Sequence, residues 1–186
     1  FRVFGYDVSG KLVKEITARD AAITWTVHLA NKKAAWKRFD GPKRKTPLRN
    51  AGVTDRTSLI IDPGPRSLTG PDQAAVFDSG TFLGRIVPLG GVKTDSTGRL
   101  LVLGGFGDSR SPKNKPIVQW ANNDGWHDDM SDGPITATVT LRKTGDTLHA
   151  AGAWVICPPP DFAPPLASVT TLYHPLIQTA VDRLGF

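Results

Sequence analysis

Apolar and polar residues alternate most clearly over Ile23-Thr-Trp-Thr-Val-His-Leu29. Ile23, Trp25, Val27 and Leu29 fall on one side, and Thr24, Thr26 and His28 on the other. Period two with β-branched and aromatic residues predicts a strand with one buried face. His28 then lies on the Thr-lined face, where a surface or hydrogen-bonded histidine is expected; nothing nearby completes a metal set. The alternation returns in Ile135-Thr-Ala-Thr-Val-Thr-Leu-Arg142, followed by a turn at Thr144-Gly-Asp146 and a return strand over residues 148–157. That is a hairpin. Another is predicted from residues 1–6, the Asp7-Val-Ser-Gly10 turn and the strand opening at Leu12-Val13. The strongest runs from residues 85–94 through Asp95-Ser-Thr-Gly98 to residues 99–106. Gly90-Gly91 and Gly104-Gly105 remove side chains from both of its strands, which predicts bulges or close backbone approach.

Shorter signals fill the gaps. Thr17-Ala-Arg-Asp20 resembles the capping box of a short helical turn, and residues 31–36 suit a second such turn. Leu59-Ile-Ile61 reads as a short apolar strand entering a rigid turn, Asp62-Pro-Gly-Pro-Arg-Ser67. That turn lacks any P-loop or dinucleotide pattern. Residues 39–57 are polar, basic and irregular, and residues 77–83 form a loop or edge segment. The prolines of residues 158–165 cannot join a ladder, so this stretch leaves the sheet in an extended state. Leu176, Ile177, Ala180, Val181 and Leu184 fall at helical spacing, predicting a final amphipathic helix. The expected fold is mainly β: twisted antiparallel sheets and hairpins, sandwich-like, with one or two short helices, as a single β-rich domain over residues 1–186.

Composition agrees. Gly 19 and Pro 15 among 186 residues favour many short elements joined by turns over a helical bundle. Apolar content of 39% and charged content of 22% suit a globular domain with a real core. No apolar run reaches the roughly 18 residues of a membrane-spanning helix. The net charge of +6 is concentrated in Lys32-Lys33, Lys37-Arg38 and Lys43-Arg44-Lys45. Such a patch suggests nucleic acid or an acidic partner, but no recognition helix or aromatic RNA-binding pattern accompanies it. A solvated loop, or a surface docked on acidic parts of a longer chain, is the plainer reading. Cys157 is the only cysteine, so no internal disulfide forms and the redox compartment is left unfixed. Phe1 replaces an initiator Met and no signal-peptide layout follows. The expectation is a piece of a longer or processed polypeptide, made in the cytoplasm, with export left open.

The chemistry concentrates in Trp120-Ala-Asn-Asn-Asp-Gly-Trp-His-Asp-Asp-Met-Ser-Asp-Gly-Pro134. This composition opposes regular structure, because Asn, Asp and Gly favour Asx turns and left-handed backbone. Clustered carboxylates repel unless backbone amides, a metal or a basic segment orders them. Asn122, Asn123, Asp124, Trp126, His127, Asp128, Asp129 and Asp132 are therefore either a hydrogen-bonded structural knot or a site. The spacing lacks the odd-position ligands and bidentate Glu of a calcium loop, and no second histidine suits zinc. No metal is assigned. The structural reading has the Asp side chains capping turns, Trp126 plugging the core and His127 hydrogen-bonded. The alternative is a non-catalytic binding module whose 122–132 loop holds a cation or a basic partner.

Several segments, in order along nearly the whole chain, resemble the N-terminal region of the lysine ε-oxidase family. They include Val3-Phe-Gly-Tyr-Asp7, Ile23-Thr-Trp-Thr-Val-His-Leu-Ala-Asn-Lys-Lys-Ala-Ala-Trp36, Ile61-Asp-Pro-Gly-Pro-Arg66, Leu103-Gly-Gly105, Ala121-Asn-Asn-Asp-Gly-Trp-His-Asp-Asp129 and Ser131-Asp-Gly-Pro134. The resemblance implies a parent oxidising the amine of an amino acid such as lysine or glycine, releasing ammonia and hydrogen peroxide. It implies a cysteine tryptophylquinone made from residues downstream of this span, with help from a flavoprotein maturation partner. Catalytic residues and cofactor are then expected outside these 186 residues. Cys157 beside Trp154 or Trp120 does not match the family's crosslink motif and is expected to be a small apolar strand residue. The remaining partners implied are the parent's catalytic domain, the amino-acid substrate and further copies in a homo-oligomer. Phe162, framed by prolines, is suited to project into a neighbouring subunit or the active-site entrance; an ordinary connector is the alternative.

Overall fold

The computed structural model describes residues 1–39 and 47–159, together with Arg183. Phe162, the block Lys43-Arg44-Lys45 and the amphipathic segment of residues 176–184 other than Arg183 lie outside the described residues.

The fold is mainly β. Strand β1 (Val3–Tyr6) pairs antiparallel with β2 (Leu12–Ile16). Asp7 builds the turn between them: its Oδ1 accepts the Ser9 N–H at 2.9 Å, the Ser9 hydroxyl at 2.6 Å and the Lys11 N–H at 3.0 Å. Residues Thr17 to Asp20 form a turn, not a helix. Asp20 nevertheless reaches back to the Thr17 N–H at 3.0 Å, the local bond on which the capping-box expectation rested.

The large sheet is built around two long strands, β3 (Ala21–Val27) and β10 (Ser131–Leu141), paired from Ala21↔Leu141 to Val27↔Ile135. The far edge of β3 takes β4 (Arg66–Thr69). The far edge of β10 takes β11 (Thr147–His149) and β12 (Ala153–Cys157) in succession. The predicted return strand of residues 148–157 thus breaks between these two, where the register slips by one residue.

Strands β5 (Ala74–Val76), β8 (Gly91–Thr94) and β9 (Leu100–Leu103) make a three-stranded sheet. Strands β6 (Thr81–Phe82) and β7 (Arg85–Ile86) make a small hairpin. The stretch read as one strand over residues 85–94 is therefore two. The Asp95-Ser-Thr-Gly98 hairpin stands as expected, and Asp95 Oδ1 repeats the Asp7 pattern on the Thr97 and Arg99 N–H groups. The glycine pairs mark contact points. A Cβ on Gly90 would sit 2.1 Å from the Leu103 carbonyl oxygen, so the backbones meet there with no room for a side chain.

The core lies between the inward face of the large sheet and the three-stranded sheet. Ile23, Trp25, Val27, Leu68, Ile135 and Val139 meet Phe77, Phe82, Val87, Leu89, Val92 and Leu100, which is the sandwich-like arrangement expected. Trp25 joins the layers through its Nε1–H, which donates to the Gly98 carbonyl at 2.9 Å. Two 3₁₀ turns, Lys33–Ala35 and Thr57–Leu59, occur among the described residues, and Arg183 is helical. The second occupies ground read as strand, leaving Ile61 with a single bridge to Asn31. The chain crosses back onto the sheet at Arg66, whose guanidinium is held by the Val76, Pro63 and Pro65 carbonyls and the Ser79 hydroxyl. Periodicity missed β4 and β5 because Arg66-Ser-Leu-Thr69 and Ala74-Ala-Val76 are too short to show it.

Candidate functional site

Every acidic side chain of the 120–134 segment is engaged within the described residues. Asp124 Oδ1 accepts the Asn50 N–H at 2.8 Å, and its Oδ2 stands 3.7 Å from the Arg38 guanidinium. Asp128 Oδ1 and its carbonyl accept the Asn31 amide at 2.8 and 3.0 Å, while Oδ2 accepts Lys33 Nζ. Asp129, almost fully buried, accepts the Gly107 and Asp108 N–H groups at 2.8 and 2.9 Å. A Cβ on Gly105 would collide with this carboxylate at 2.3 Å, which explains the second of the two Gly-Gly pairs. Asp132 Oδ2 accepts the Trp154 indole N–H at 3.1 Å. Backbone amides and lysine or arginine neighbours thus offset the repulsion that the sequence created.

The asparagines complete the brace. Asn122 clamps the Phe39 backbone reciprocally, accepting its N–H at 2.7 Å and donating to its carbonyl at 3.1 Å. Asn123 Oδ1 caps the Val118 and Gln119 N–H groups. Asn50, in left-handed backbone at φ 51°, accepts the Gly125 N–H at 2.5 Å and donates to the Ala34 carbonyl at 2.9 Å. Asn31, Lys33, Phe39 and Asn50 lie 74 to 97 residues from the loop residues they bond. Asn31 and Asn50 carry no local signal of this role, and Lys33 reads from sequence only as part of the basic patch.

Three details depart from the sequence reading. Ser131 to Pro134 is not loop but the start of β10. Gly133 makes this possible: its hydrogen side faces the His28 carbonyl, which a Cβ would approach to 1.7 Å. Trp126 does not plug the core; it is half-buried and donates to the Lys115 carbonyl at 2.9 Å. The His127 backbone is bridged to Arg110 in both directions, but among the described residues neither nitrogen of its buried ring has a hydrogen-bond partner of regular geometry. The ring packs on Phe82 at 5.3 Å. Burial holds its pKa below the ordinary 6.5, against the pull of Asp108; Arg85 adds to the lowering and Asp128 opposes it.

His28 is hydrogen-bonded, as expected, to Asp62 Oδ1 at 2.6 Å, which also accepts the Gly64 N–H. Partial burial pushes the Asp62 carboxyl up, but His28 and Gly64 outweigh it and the net shift is downward. Among the described residues no group of three metal-ligating side chains comes together. Cys157 is a core residue, and burial pushes its thiol up. Trp154 lies three positions away on the same strand, an odd separation that puts the two side chains on opposite faces. The Trp154 indole is exposed and tied to Asp132. This pair does not fit a cysteine–tryptophan crosslink.

Fold and loop together define a mainly β domain whose loop carboxylates are hydrogen-bonded within the fold. Residues 1–157 match the family model described as L-lysine epsilon oxidase N-terminal. The chain belongs to this family. It is 36% identical to L-lysine 6-oxidase of Marinomonas mediterranea (strain ATCC 700492 / JCM 21426 / NBRC 103028 / MMB-1), an alignment covering 92% of this chain and 27% of that protein. The structure of the epsilon-lysine oxidase from Marinomonas mediterranea superposes with a TM-score of 0.74 at 31% identity, covering 98% of this chain and 31% of that one. The Schiff base intermediate of the same organism's L-Lys epsilon-oxidase with L-Lys gives a TM-score of 0.71 at 32% identity, over 96% and 30% of the two chains. The chain thus spans roughly three-tenths of the length of these relatives.

Proposed function

We propose that these residues are the N-terminal scaffold of a quinone-dependent L-amino-acid oxidase of lysine or glycine type, and that they are inactive alone. The observation that carries the reading is the family match over residues 1–157, joined to a loop whose carboxylates are already engaged inside the fold. The parent would convert an amino-acid amine to an aldehyde or keto acid, with ammonia and hydrogen peroxide. Its cysteine tryptophylquinone would form from downstream residues with a flavoprotein's help. The remaining catalytic domain would cover apolar surface such as Trp154 and Ile156, which stand exposed on the outer face of β12. Phe162 would reach a neighbouring subunit of a homo-oligomer or the active-site entrance. Synthesis would be cytoplasmic, with export open.

The test is to express the chain alone and joined to the coding sequence downstream of Phe186, each with the candidate flavoprotein. The longer protein should show quinone absorbance and release peroxide with lysine or glycine; the short one should do neither. Quinone absorbance in the 186-residue chain alone would overturn the reading, as would a downstream sequence without a Trp and Cys-bearing region. For Phe162, Phe162→Ala in the longer enzyme should change KM, kcat or oligomeric state; no change in all three removes that role.

A further inference from the structure

A cleft of about 690 Å³ opens beside the loop, and the buried Arg49 Nε in its wall is a donor without a hydrogen-bond partner among the described residues. Its walls carry Trp36, Trp120, Trp126, Arg49 and His127. The loop carboxylate that reaches it, Asp128, is already held by Asn31 and Lys33. Arg49 is in a different position. Its side chain is 93% buried by its 7% exposure, yet among the described residues its guanidinium makes no hydrogen bond and no ion pair within 4.0 Å, and its buried Nε has no partner. Arg56, a few residues on, shows the contrast: its guanidinium donates to the Asn50, Ala35 and Arg49 carbonyls. A buried guanidinium without a bound acceptor is costly, because desolvation is not repaid by hydrogen bonds. Asp128 and Asp124 lie near enough to attract it, but desolvation still dominates and lowers its pKa. Across the same cleft the buried ring of His127 has two nitrogens without a regular hydrogen bond among the described residues. Lys37 adds a further positive charge at the rim.

We propose that this cleft is a binding site for an organic carboxylate bearing a flat apolar group. The carboxylate would take the Arg49 guanidinium as a charge-assisted fork. The neutral His127 imidazole would donate one further hydrogen bond. The apolar body would lie against Trp120, which is 85% exposed, and against Trp36 and Trp126. The ligand's sign is opposite to the one the acidic loop suggested, because the loop's own carboxylates are consumed by the fold. The proposal is independent of the oxidase reading: it needs only the geometry of the described residues that line the cleft.

The test is phenylacetate titrated into the full chain and into the longer oxidase, followed by tryptophan fluorescence at constant ionic strength. Three of the five tryptophans line the cleft, so occupancy changes the signal. Phenylacetate should bind saturably, and phenylacetamide and benzylammonium about tenfold more weakly or not at all, as expected when a charge-assisted pair is lost. Arg49→Gln should lose the same factor while its circular dichroism stays that of the parent. Should that variant fail to fold, Trp120→Ala, at an exposed position, should weaken phenylacetate binding several-fold. No saturable signal, equal binding of the amide, or binding indifferent to the variants that fold overturns the proposal. Binding to the 186-residue chain that vanishes in the longer protein also overturns it, since the cleft would then be a seat for further polypeptide.

Discussion

Asn50 and Gly125 are locked together across 75 residues of sequence: the Asn50 side-chain oxygen accepts the buried Gly125 N–H at 2.5 Å. The other end of the same amide donates to the Ala34 carbonyl, and the Asn50 backbone N–H donates to Asp124. One residue therefore fixes the acidic loop to the 3₁₀ turn at Lys33–Ala35. Asn50→Ala would strand two buried polar groups and place alanine at φ 51°, which asparagine tolerates better. The expected loss is about 3 kcal/mol by urea unfolding. A loss below about 0.5 kcal/mol, the range of an ordinary surface change, would remove the brace from the account.

Gly133 sets the register of β10 against the chain at His28. Gly133→Ala must push apart backbones that would leave 1.7 Å between Cβ and the His28 oxygen. Destabilisation of about 3 kcal/mol or loss of folding is expected. Gly52→Ala, where the added Cβ meets nothing within 4 Å and φ is not positive, should be near neutral. Equal effects of the two substitutions would contradict the close approach.

His127 gives a pH dependence of defined sign. Its folded pKa lies below the unfolded value of 6.5, so the unfolded chain binds the proton more tightly. Stability should fall as pH drops below about 6.5 and level off beneath the folded pKa. The charges of Asp108 and Asp128 oppose this lowering and that of Arg85 adds to it. His127→Phe keeps a ring against Phe82 and should flatten the slope. An unchanged slope, read from urea midpoints across the range, would assign it to another group.

Asp20 acts at lower pH and with the same direction of loss. The Lys14 ammonium and the Thr17 N–H hold its carboxyl down at about 2, against an ordinary 3.8. Its contribution is fully present above 3.8 and disappears as pH falls through about 2. Asp20→Asn should remove part of the acid-side slope; an identical acid profile would show the pair to be screened out by solvent.

Much of this architecture was legible beforehand, and the failures have particular causes. The Thr-alternating strands β3 and β10 are legible because each buries every second residue, while the residues between are half-buried in β3 and mostly exposed in β10. The turns at Asp7 and Asp95 were readable because Asp supplies its own local hydrogen bonds and a glycine follows three residues on. Leu59 misled because a buried 3₁₀ turn and a buried strand share the same apolar composition. Ser131 to Pro134 misled because turn residues were given more weight than the pull of a long sheet partner; Gly133 is there for contact with His28, not for a bend. The loop itself is visible as a cluster, and in the structure Asp124, Asp128 and Asp129 accept hydrogen bonds from within the fold. Its partners were not visible, because Asn31, Lys33 and Asn50 are ordinary residues made specific only by tertiary distance.

The claim beneath these predictions is that the acidic loop holds the scaffold together and binds no cation. Calorimetric titration of the protein with Ca²⁺, repeated with Zn²⁺, addresses it most directly. The account predicts no saturable heat from either ion, because Asp124, Asp128, Asp129 and Asp132 already accept bonds from within the fold. A saturable heat abolished by Asp128→Asn would contradict it and make the loop a metal site after all.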